Sequence, residues 1–133
     1  MHLVAIGTVD SPLTDRFAAP KQGDEGAPDA WLVFVPEVLD GLEGIAVGDE
    51  LLVLTWLDRA ERDVLRVIPR GDVTRGVQGV FNTRSPDRPN PIGLHRVTVL
   101  EVDGARLRVR NLEALDGTPI VDVKPLLRSI EER

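Results

Sequence analysis

The residues best suited to chemistry lie in one proline-rich segment, Gly79–Leu94, which reads GVFNTRSPDRPNPIGL. Because each proline fixes its own φ and disfavours the α region at the preceding residue, a helix is nearly excluded across Ser85–Pro91. Arg84 and Arg88 supply planar guanidinium groups that can grip an anion bidentately, and Asn90 adds an amide. The segment therefore predicts either a rigid clamp for an anionic or flat polar ligand, or a structural loop whose arginines pair with nearby carboxylates.

Polar side chains set among prolines and glycines also recur outside this segment. One group lies in the N-terminal quarter of the chain and consists of Pro20, Lys21 and Gln22. A second group lies near the C-terminus and contains Asp116, Asp122 and Lys124. Charged residues near turns commonly cap those turns or form solvated ion pairs. Residue types alone leave open whether these groups bind a ligand.

Several familiar kinds of site are missing from the sequence. Without cysteine there is no disulfide, thiolate metal site or cysteine nucleophile. The chain has no Walker A motif, no GxGxxG after a strand and no GxSxG elbow. His2 and His95 lack metal-ligand spacing, so we predict no metal site and expect ordinary solvated or hydrogen-bonded histidines. A Ser-His-Asp arrangement stays open on residue types.

Charge is distributed unevenly along the 133 residues. The net charge of −6 divides into −9 for residues 1–65, +4 for residues 66–96 and −1 for residues 97–133. The cationic third contains the proline-rich segment and could guide an anionic partner to it. No apolar run approaches the roughly 20 residues that cross a bilayer, and no signal-peptide pattern opens the chain. We therefore expect no membrane contact and residence in the cytoplasm.

Short β-rich runs separated by turn residues dominate the chain. Strands are predicted at residues 2–9, 30–35, 49–57, 64–68, 94–102, 105–112 and 120–123, with the run at 49–57 buried on both faces. Asp103-Gly104 suits a type I′ hairpin, and Pro36–Leu42 suits a short helix. A marginal helix is expected from Leu126 onwards. The fold class is thus all-β, a compact β-barrel of about six or seven strands with room for a short helix, forming one domain over residues 1–133.

Three ordered blocks give the chain a family resemblance. They are residues 17–22 (FAAPKQ), the proline-rich segment at 79–94, and residues 115–125 (LDGTPIVDVKP). With Ile6-Gly7 and Ser11-Pro12, they resemble the TrmO family of S-adenosylmethionine-dependent tRNA methyltransferases. The resemblance covers nearly the whole chain. It implies methyl transfer to the exocyclic N6 of threonylcarbamoyladenosine beside the anticodon of tRNA.

The resemblance also implies a site. The family binds S-adenosylmethionine on a compact β-barrel, outside a Rossmann fold, and commonly forms a homodimer with sites near the interface. Carried over position by position, the cofactor contacts fall at Pro20, Lys21, Gln22, Asp58, Arg59, Arg84, Leu94, Arg110, Asn111, Leu112 and Glu113. In this view Arg84 holds the cofactor carboxylate, and backbone groups near Leu94 and Leu112 read the adenine edge.

Methyl transfer to a purine nitrogen needs a proton acceptor, because the lone pair of that nitrogen is delocalised. Asp116 or Asp122 is the predicted base, and Lys124 would orient it. Arg88 and Asn90 would face the substrate or stiffen their loop.

Three departures from the family pattern support other readings. Ala46–Glu50 replaces a Phe-Ser-His segment, Asp58 replaces a histidine, and Leu126 replaces a tyrosine after Lys-Pro. The alternatives are an S-adenosylmethionine-dependent enzyme acting on a small molecule, and a non-catalytic β-barrel that binds a nucleotide or cofactor.

Overall fold

The computed structural model describes residues 1–14, 28–69 and 73–127. Within these ranges, six antiparallel strands close into a barrel in the order β1-β2-β7-β6-β3-β8, and the pairing of β1 with β8 completes the closure. Two shorter strands, β4 and β5, form a separate ribbon. The strands are β1 (Gly7–Asp10), β2 (Ala30–Phe34), β3 (Glu50–Trp56), β4 (Arg66–Val67), β5 (Gln78–Gly79), β6 (Ile92–Asp103), β7 (Arg106–Arg110) and β8 (Pro119–Pro125). The predicted all-β barrel is confirmed.

Helical structure in the described ranges is limited to short 3-10 segments. The predicted helix at Pro36–Leu42 is present as a 3-10 helix with proline at its start, and two more 3-10 turns cover Val73–Arg75 and Val80–Asn82. The predicted helix from Leu126 falls mostly beyond residue 127 and so outside the described residues. None of the helices in these ranges is long and apolar enough to cross a membrane.

The hairpin between β6 and β7 differs from its prediction by one residue. Asp103 pairs with Arg106, so Gly104 and Ala105 form the two-residue turn. Gly104 has a φ of 58°, whereas the φ of Ala105 is not positive. A type I′ turn needs positive φ at both positions, so the predicted type was wrong and the pattern is that of a II′ turn. The cause is the Cβ of Ala105, which disfavours the left-handed region.

The core fills the barrel with alternate residues of β1, β2, β3, β6 and β7, together with Ile120 of β8. β3 contributes Leu51 and Val53, and β6 contributes Val97 and Val99, all almost fully buried. The predicted burial of β3 on both faces was wrong, since its alternate residues Leu52, Leu54 and Trp56 are only half-buried. Only the interior face of β3 meets the core, because the strand's neighbours lie beside it in the same barrel wall.

Antiparallel order places three long connections at one end of the barrel. β1, β3 and β7 finish there, and β2, β6 and β8 begin there. The connections are residues 11–29, 57–91 and 111–118. We call this end, where β1, β3 and β7 finish, the loop end. Among the described residues, it carries every predicted site residue except Leu94, Asp122 and Lys124, which lie within β6 and β8.

Candidate functional site

Hydrogen bonds join the three connections at the loop end. The Ser11 amide donates to Oδ1 of Asp116 (3.1 Å), and the Asp116 amide donates to the Leu13 carbonyl (2.6 Å). Nη1 of Arg59 donates to the Thr14 carbonyl (3.0 Å), which ties the connection after β3 to that after β1. Arg59 and Asp116 are thus both held against residues 11–14, although they are far apart in sequence.

Arg88 organises the proline-rich segment from within. Its Nε donates to the Ser85 carbonyl (2.7 Å), and its Nη2 donates to the Val80 carbonyl (2.8 Å) and also to that of Thr83. The Thr83 hydroxyl donates to the same Val80 carbonyl (2.9 Å). The guanidinium of Arg88 therefore donates to carbonyls of its own loop, and these contacts favour the stiffening role over the substrate-facing one.

The same segment is fastened to residues 58–63. Arg62 donates from Nε to the Pro89 carbonyl (2.7 Å) and from Nη2 to Oδ1 of Asn90 (3.1 Å), and its guanidinium lies 5.1 Å from the centroid of the Trp56 ring. The Glu61 amide donates to Oδ1 of Asp87 (2.9 Å). Sequence reasoning missed this fastening role of Arg62, because its contact with Pro89 spans 27 residues and no local pattern signals it.

Arg84 is used differently from Arg88. Its side chain is exposed, and it makes no hydrogen bond or ion pair with the described residues. Asp58 and Arg110 are also exposed, and no ion pair engages either side chain within the same ranges. Arg84 therefore presents an exposed guanidinium, without a polar partner among the described residues, on a segment that Arg88 and Arg62 hold in place. Such an arrangement suits an anionic ligand group.

Residues 111–113 follow β7 and cross the loop end. Asn111 adopts a φ of 72°, a left-handed conformation that asparagine tolerates better than most residues, and this turns the chain out of the strand. Leu112 is fully buried and anchors the segment in the core. Glu113 contacts His95, with 2.7 Å between Oε1 and Nδ1. His95 in turn contacts Thr55, with 2.7 Å between Nε2 and Oγ1.

The three residues predicted for proton transfer separate into two places. Asp116 lies exposed at the loop end, where Ser11 engages only its Oδ1. Asp122 lies on β8 opposite Leu54, which in turn pairs with Leu94 of β6. Oδ2 of Asp122 lies 3.0 Å from Nζ of Lys124, and its Oδ1 accepts from the Val123 amide (2.9 Å). The structure thus brings Lys124 to Asp122.

Other features of the described surface carry no predicted site residue. One open concavity of about 310 Å³ lies between β1 and β2, lined by Ala5, Gly7, Thr8 and Val33–Pro36. Another lies beside the 3-10 helix at Leu39–Glu43. Among residues 1–14, 28–69 and 73–127, no group of three or more acidic or histidine side chains could hold a metal ion. Pro20, Lys21 and Gln22 lie outside the described residues.

The barrel with three joined connections defines a class of protein already known from solved structures. One solved chain is TrmO from Pseudomonas aeruginosa, with a TM-score of 0.77 and 28% identity over 96% of this chain. Another TrmO structure matches with a TM-score of 0.79 and 27% identity. This chain covers only 56% and 57% of those chains, respectively.

The sequence model of the tRNA-methyltransferase O N-terminal domain matches residues 8–132. The chain therefore belongs to that family. A relative from Methanothermobacter thermautotrophicus, called a probable S-adenosyl-L-methionine-binding protein, is 47% identical over 95% of this chain and 90% of its own length. A relative from Archaeoglobus fulgidus, called an S-adenosyl-L-methionine-binding protein, is 47% identical over 93% of this chain and 88% of its own length.

Proposed function

We propose that the chain binds S-adenosylmethionine at the loop end of the barrel. The observation that carries this proposal is the contrast between two arginines of one segment. Arg88 donates to loop carbonyls, whereas Arg84 is exposed and forms no hydrogen bond or ion pair with the described residues. Because Arg88 and Arg62 hold the backbone of this segment in advance, only the side chain of Arg84 has to be ordered when a carboxylate binds. The names of the two archaeal relatives support this choice of ligand.

The remaining contacts follow from the family and are consistent with the site's composition. Arg84 would hold the carboxylate of the methionine part, and backbone groups near Leu94 and Leu112 would read the adenine edge. The other contacts proposed are Pro20, Lys21, Gln22, Asp58, Arg59, Arg110, Asn111 and Glu113. Two of these are already engaged within the protein, since Arg59 contacts Thr14 and Glu113 contacts His95.

We propose further that the site catalyses methyl transfer. The bound sulfonium supplies an electrophilic methyl group, and the C–S bond breaks as the acceptor nitrogen bonds to carbon. The protein's part is to align the acceptor with the methyl group, exclude water and take the proton from the acceptor.

Of the two candidate bases, Asp116 is favoured by geometry. Its amide donates to the Leu13 carbonyl and its Oδ1 accepts from the Ser11 amide, whereas its Oδ2 forms no hydrogen bond or ion pair with the described residues. Both oxygens of Asp122 are engaged, by Lys124 and by the Val123 amide, so Asp122 would have to break a contact to act as a base.

The acceptor we propose is the N6 nitrogen of threonylcarbamoyladenosine in tRNA. Support comes from the family, whose name refers to tRNA methylation, and from the cationic segment 66–96, which includes the proline-rich loop. An anionic nucleic acid would be drawn to that segment despite the net charge of −6. For an enzyme that acts on tRNA, the corresponding prediction is residence in the cytoplasm.

A small-molecule acceptor is the second candidate, favoured by Asp58 and Leu126, which replace the usual histidine and tyrosine of the family pattern.

A homodimer is also proposed, through the outer face of β3 and β6. Two cross-strand pairs, Leu54 with Leu94 and Trp56 with Ile92, place four apolar side chains on this face. Ile92 and Leu94 are 42% and 44% exposed, and such a cluster marks an interaction surface. Sedimentation velocity should show a dimer for the natural chain and a monomer for Ile92→Lys. A monomeric natural chain would refute the dimer.

The test of function has two stages, binding and turnover. Isothermal titration of the purified chain with S-adenosylmethionine should show saturable binding. Incubation with tRNA from a strain lacking the corresponding gene should then convert threonylcarbamoyladenosine to its N6-methyl form, which nucleoside mass spectrometry detects. Binding without conversion of any tRNA would leave the cofactor proposal standing and reject the tRNA proposal.

A further inference from the structure

A chain of three polar side chains runs through the otherwise apolar barrel interior. It begins at Thr55 on β3, passes through His95 on β6 and ends at Glu113 in the connection after β7. The two contacts are each 2.7 Å long, from Thr55 Oγ1 to His95 Nε2 and from His95 Nδ1 to Glu113 Oε1. Thr55 and His95 are buried, and the Glu113 side chain is 20% exposed. This network of three side chains therefore extends from the buried core to the surface of the loop end.

The direction of these hydrogen bonds follows from the acceptor at the outer end. An ionised carboxylate can only accept, so Nδ1 of His95 must carry a proton and donate it to Glu113. The Thr55 hydroxyl can donate or accept a hydrogen bond, so it is a partner for Nε2 whether or not that nitrogen carries a proton. No buried side-chain polar atom in the described ranges lacks a partner. The imidazole thus links the buried Thr55 hydroxyl and the partly exposed Glu113 carboxylate in one satisfied network.

Gly93 creates the space that this network needs. It pairs with Thr55 across β3 and β6 and faces the interior, as His95 does two residues later. A Cβ at Gly93 would lie 2.4 Å from Thr55 Oγ1 and 2.7 Å from His95 Nε2. The imidazole and the hydroxyl meet at the place that a side chain would otherwise fill.

A hydroxyl, an imidazole and a carboxylate in series also describe a nucleophilic triad. That role does not suit this network, because Thr55 is fully buried and no substrate reaches its Oγ1. The end open to solvent is the carboxylate, at a position that the family resemblance assigns to the cofactor. The network is therefore built to present Glu113 outward.

We propose that His95 is a positioning residue that fixes the Glu113 carboxylate for ligand recognition. His95 holds Oε1, which leaves Oε2 to accept from a hydrogen-bond donor of S-adenosylmethionine. Two donors of that ligand fit a carboxylate, the ribose hydroxyls and the α-ammonium group. The inference rests on the proposed function and deepens it, since it assigns the acidic contact and the buried group that holds it.

Two substitutions at position 95 distinguish a role of His95 in positioning Glu113 from a purely structural role in the core. The amide nitrogen of asparagine can take the place of Nδ1, so His95→Asn keeps a donor to Glu113 and loses Thr55. The longer glutamine places its polar end near Nε2, so His95→Gln keeps Thr55 and loses Glu113. Each variant loses one of the two hydrogen bonds, and we expect their melting temperatures to fall by similar amounts.

Binding should distinguish the two variants. In isothermal titration with S-adenosylmethionine, His95→Asn should stay within about threefold of the natural chain, and His95→Gln should bind about 10-fold more weakly, because Glu113 must then be ordered on binding. Methylthioadenosine, which has the ribose but no ammonium, identifies the donor. A His95→Gln deficit that persists with this probe assigns Glu113 to the ribose hydroxyls, and one that disappears assigns it to the ammonium.

Equal affinities of His95→Asn and His95→Gln, in chains that melt alike, would overturn the proposal and leave the proposed function intact. Should neither variant fold, Glu113→Gln provides the test, since that residue lies at the barrel's end and its neutral amide cannot replace the charge. A loss of about 10-fold or more is expected, and unchanged affinity would overturn the assignment. No binding by the natural chain would reject the proposed function, and this inference with it.

Discussion

Arg84 and Arg88 lie four residues apart in one loop, and the structure predicts opposite consequences for removing them. Arg84→Ala deletes an exposed guanidinium that forms no hydrogen bond or ion pair with the described residues, so the free energy of unfolding should change by less than about 0.5 kcal/mol. If this group holds the cofactor carboxylate, a charge-assisted contact worth about 1.5–3 kcal/mol is lost. The dissociation constant should then rise roughly 10- to 150-fold.

Arg88→Ala removes the half-buried guanidinium that three carbonyls of its own loop share. Hydrogen bonds from a charged group contribute about 1.5–3 kcal/mol, which at this chain length lowers the melting temperature by roughly 5–12 °C. Arg88→Lys should recover only part of this loss, because an ammonium lacks the planar fork. Binding should also weaken, since the segment that carries Arg84 is no longer held.

Differential scanning fluorimetry and isothermal titration with S-adenosylmethionine measure both quantities on the same samples. Arg66→Ala is the matched control, as it removes an exposed positive charge from the same cationic third of the chain, on β4. It should leave melting temperature and affinity nearly unchanged, which excludes a general charge effect. The reasoning is refuted if Arg84→Ala melts several degrees lower while binding normally.

Three further changes test other parts of the site. Gly93→Ala would place a Cβ 2.4 Å from Thr55 Oγ1, so thermal unfolding should show a loss of stability of about 1–3 kcal/mol. The control Gly41→Ala has open space around the new Cβ and should change stability little. Equal losses in the two variants would contradict the packing argument. Asn111→Gly preserves the positive φ, so its melting temperature should equal that of the natural chain. Asn111→Ala should lower the free energy of unfolding by about 1–2 kcal/mol, because alanine disfavours a positive φ. An unchanged melting temperature for Asn111→Ala would contradict the left-handed conformation at this position. Asp116→Asn should retain cofactor affinity and lower methyl transfer by about 10²-fold or more in a single-turnover assay, and full activity would reject Asp116 as the base.

The barrel was predictable from sequence because its strands are short, apolar in alternation and separated by clear turn residues. The hairpin illustrates both the strength and the limit of this reasoning. Asp103-Gly104 located the turn between β6 and β7 to within one residue, but the type of turn depended on which residue reached positive φ. A sequence pattern that counts only turn-forming residue types cannot detect that the turn is shifted by one residue.

The roles of site residues were less predictable, because they depend on contacts distant in sequence. Nothing local distinguishes Arg84 from Arg88, since both lie among the prolines of one segment. The distinction comes from carbonyls that the folded loop turns towards Arg88. His95 could have been noticed as a polar residue on the interior face of an alternating strand. Its partner Glu113, however, is 18 residues away and follows another strand.

A crystal structure of the chain with bound S-adenosylhomocysteine tests the central claim most directly, because it locates the ligand without relying on a variant. We expect the ligand at the loop end, with its carboxylate on the Arg84 guanidinium and the proline-rich segment in the conformation that Arg88 and Arg62 hold. Ligand density in the concavity between β1 and β2, with Arg84 still in solvent, would contradict the account.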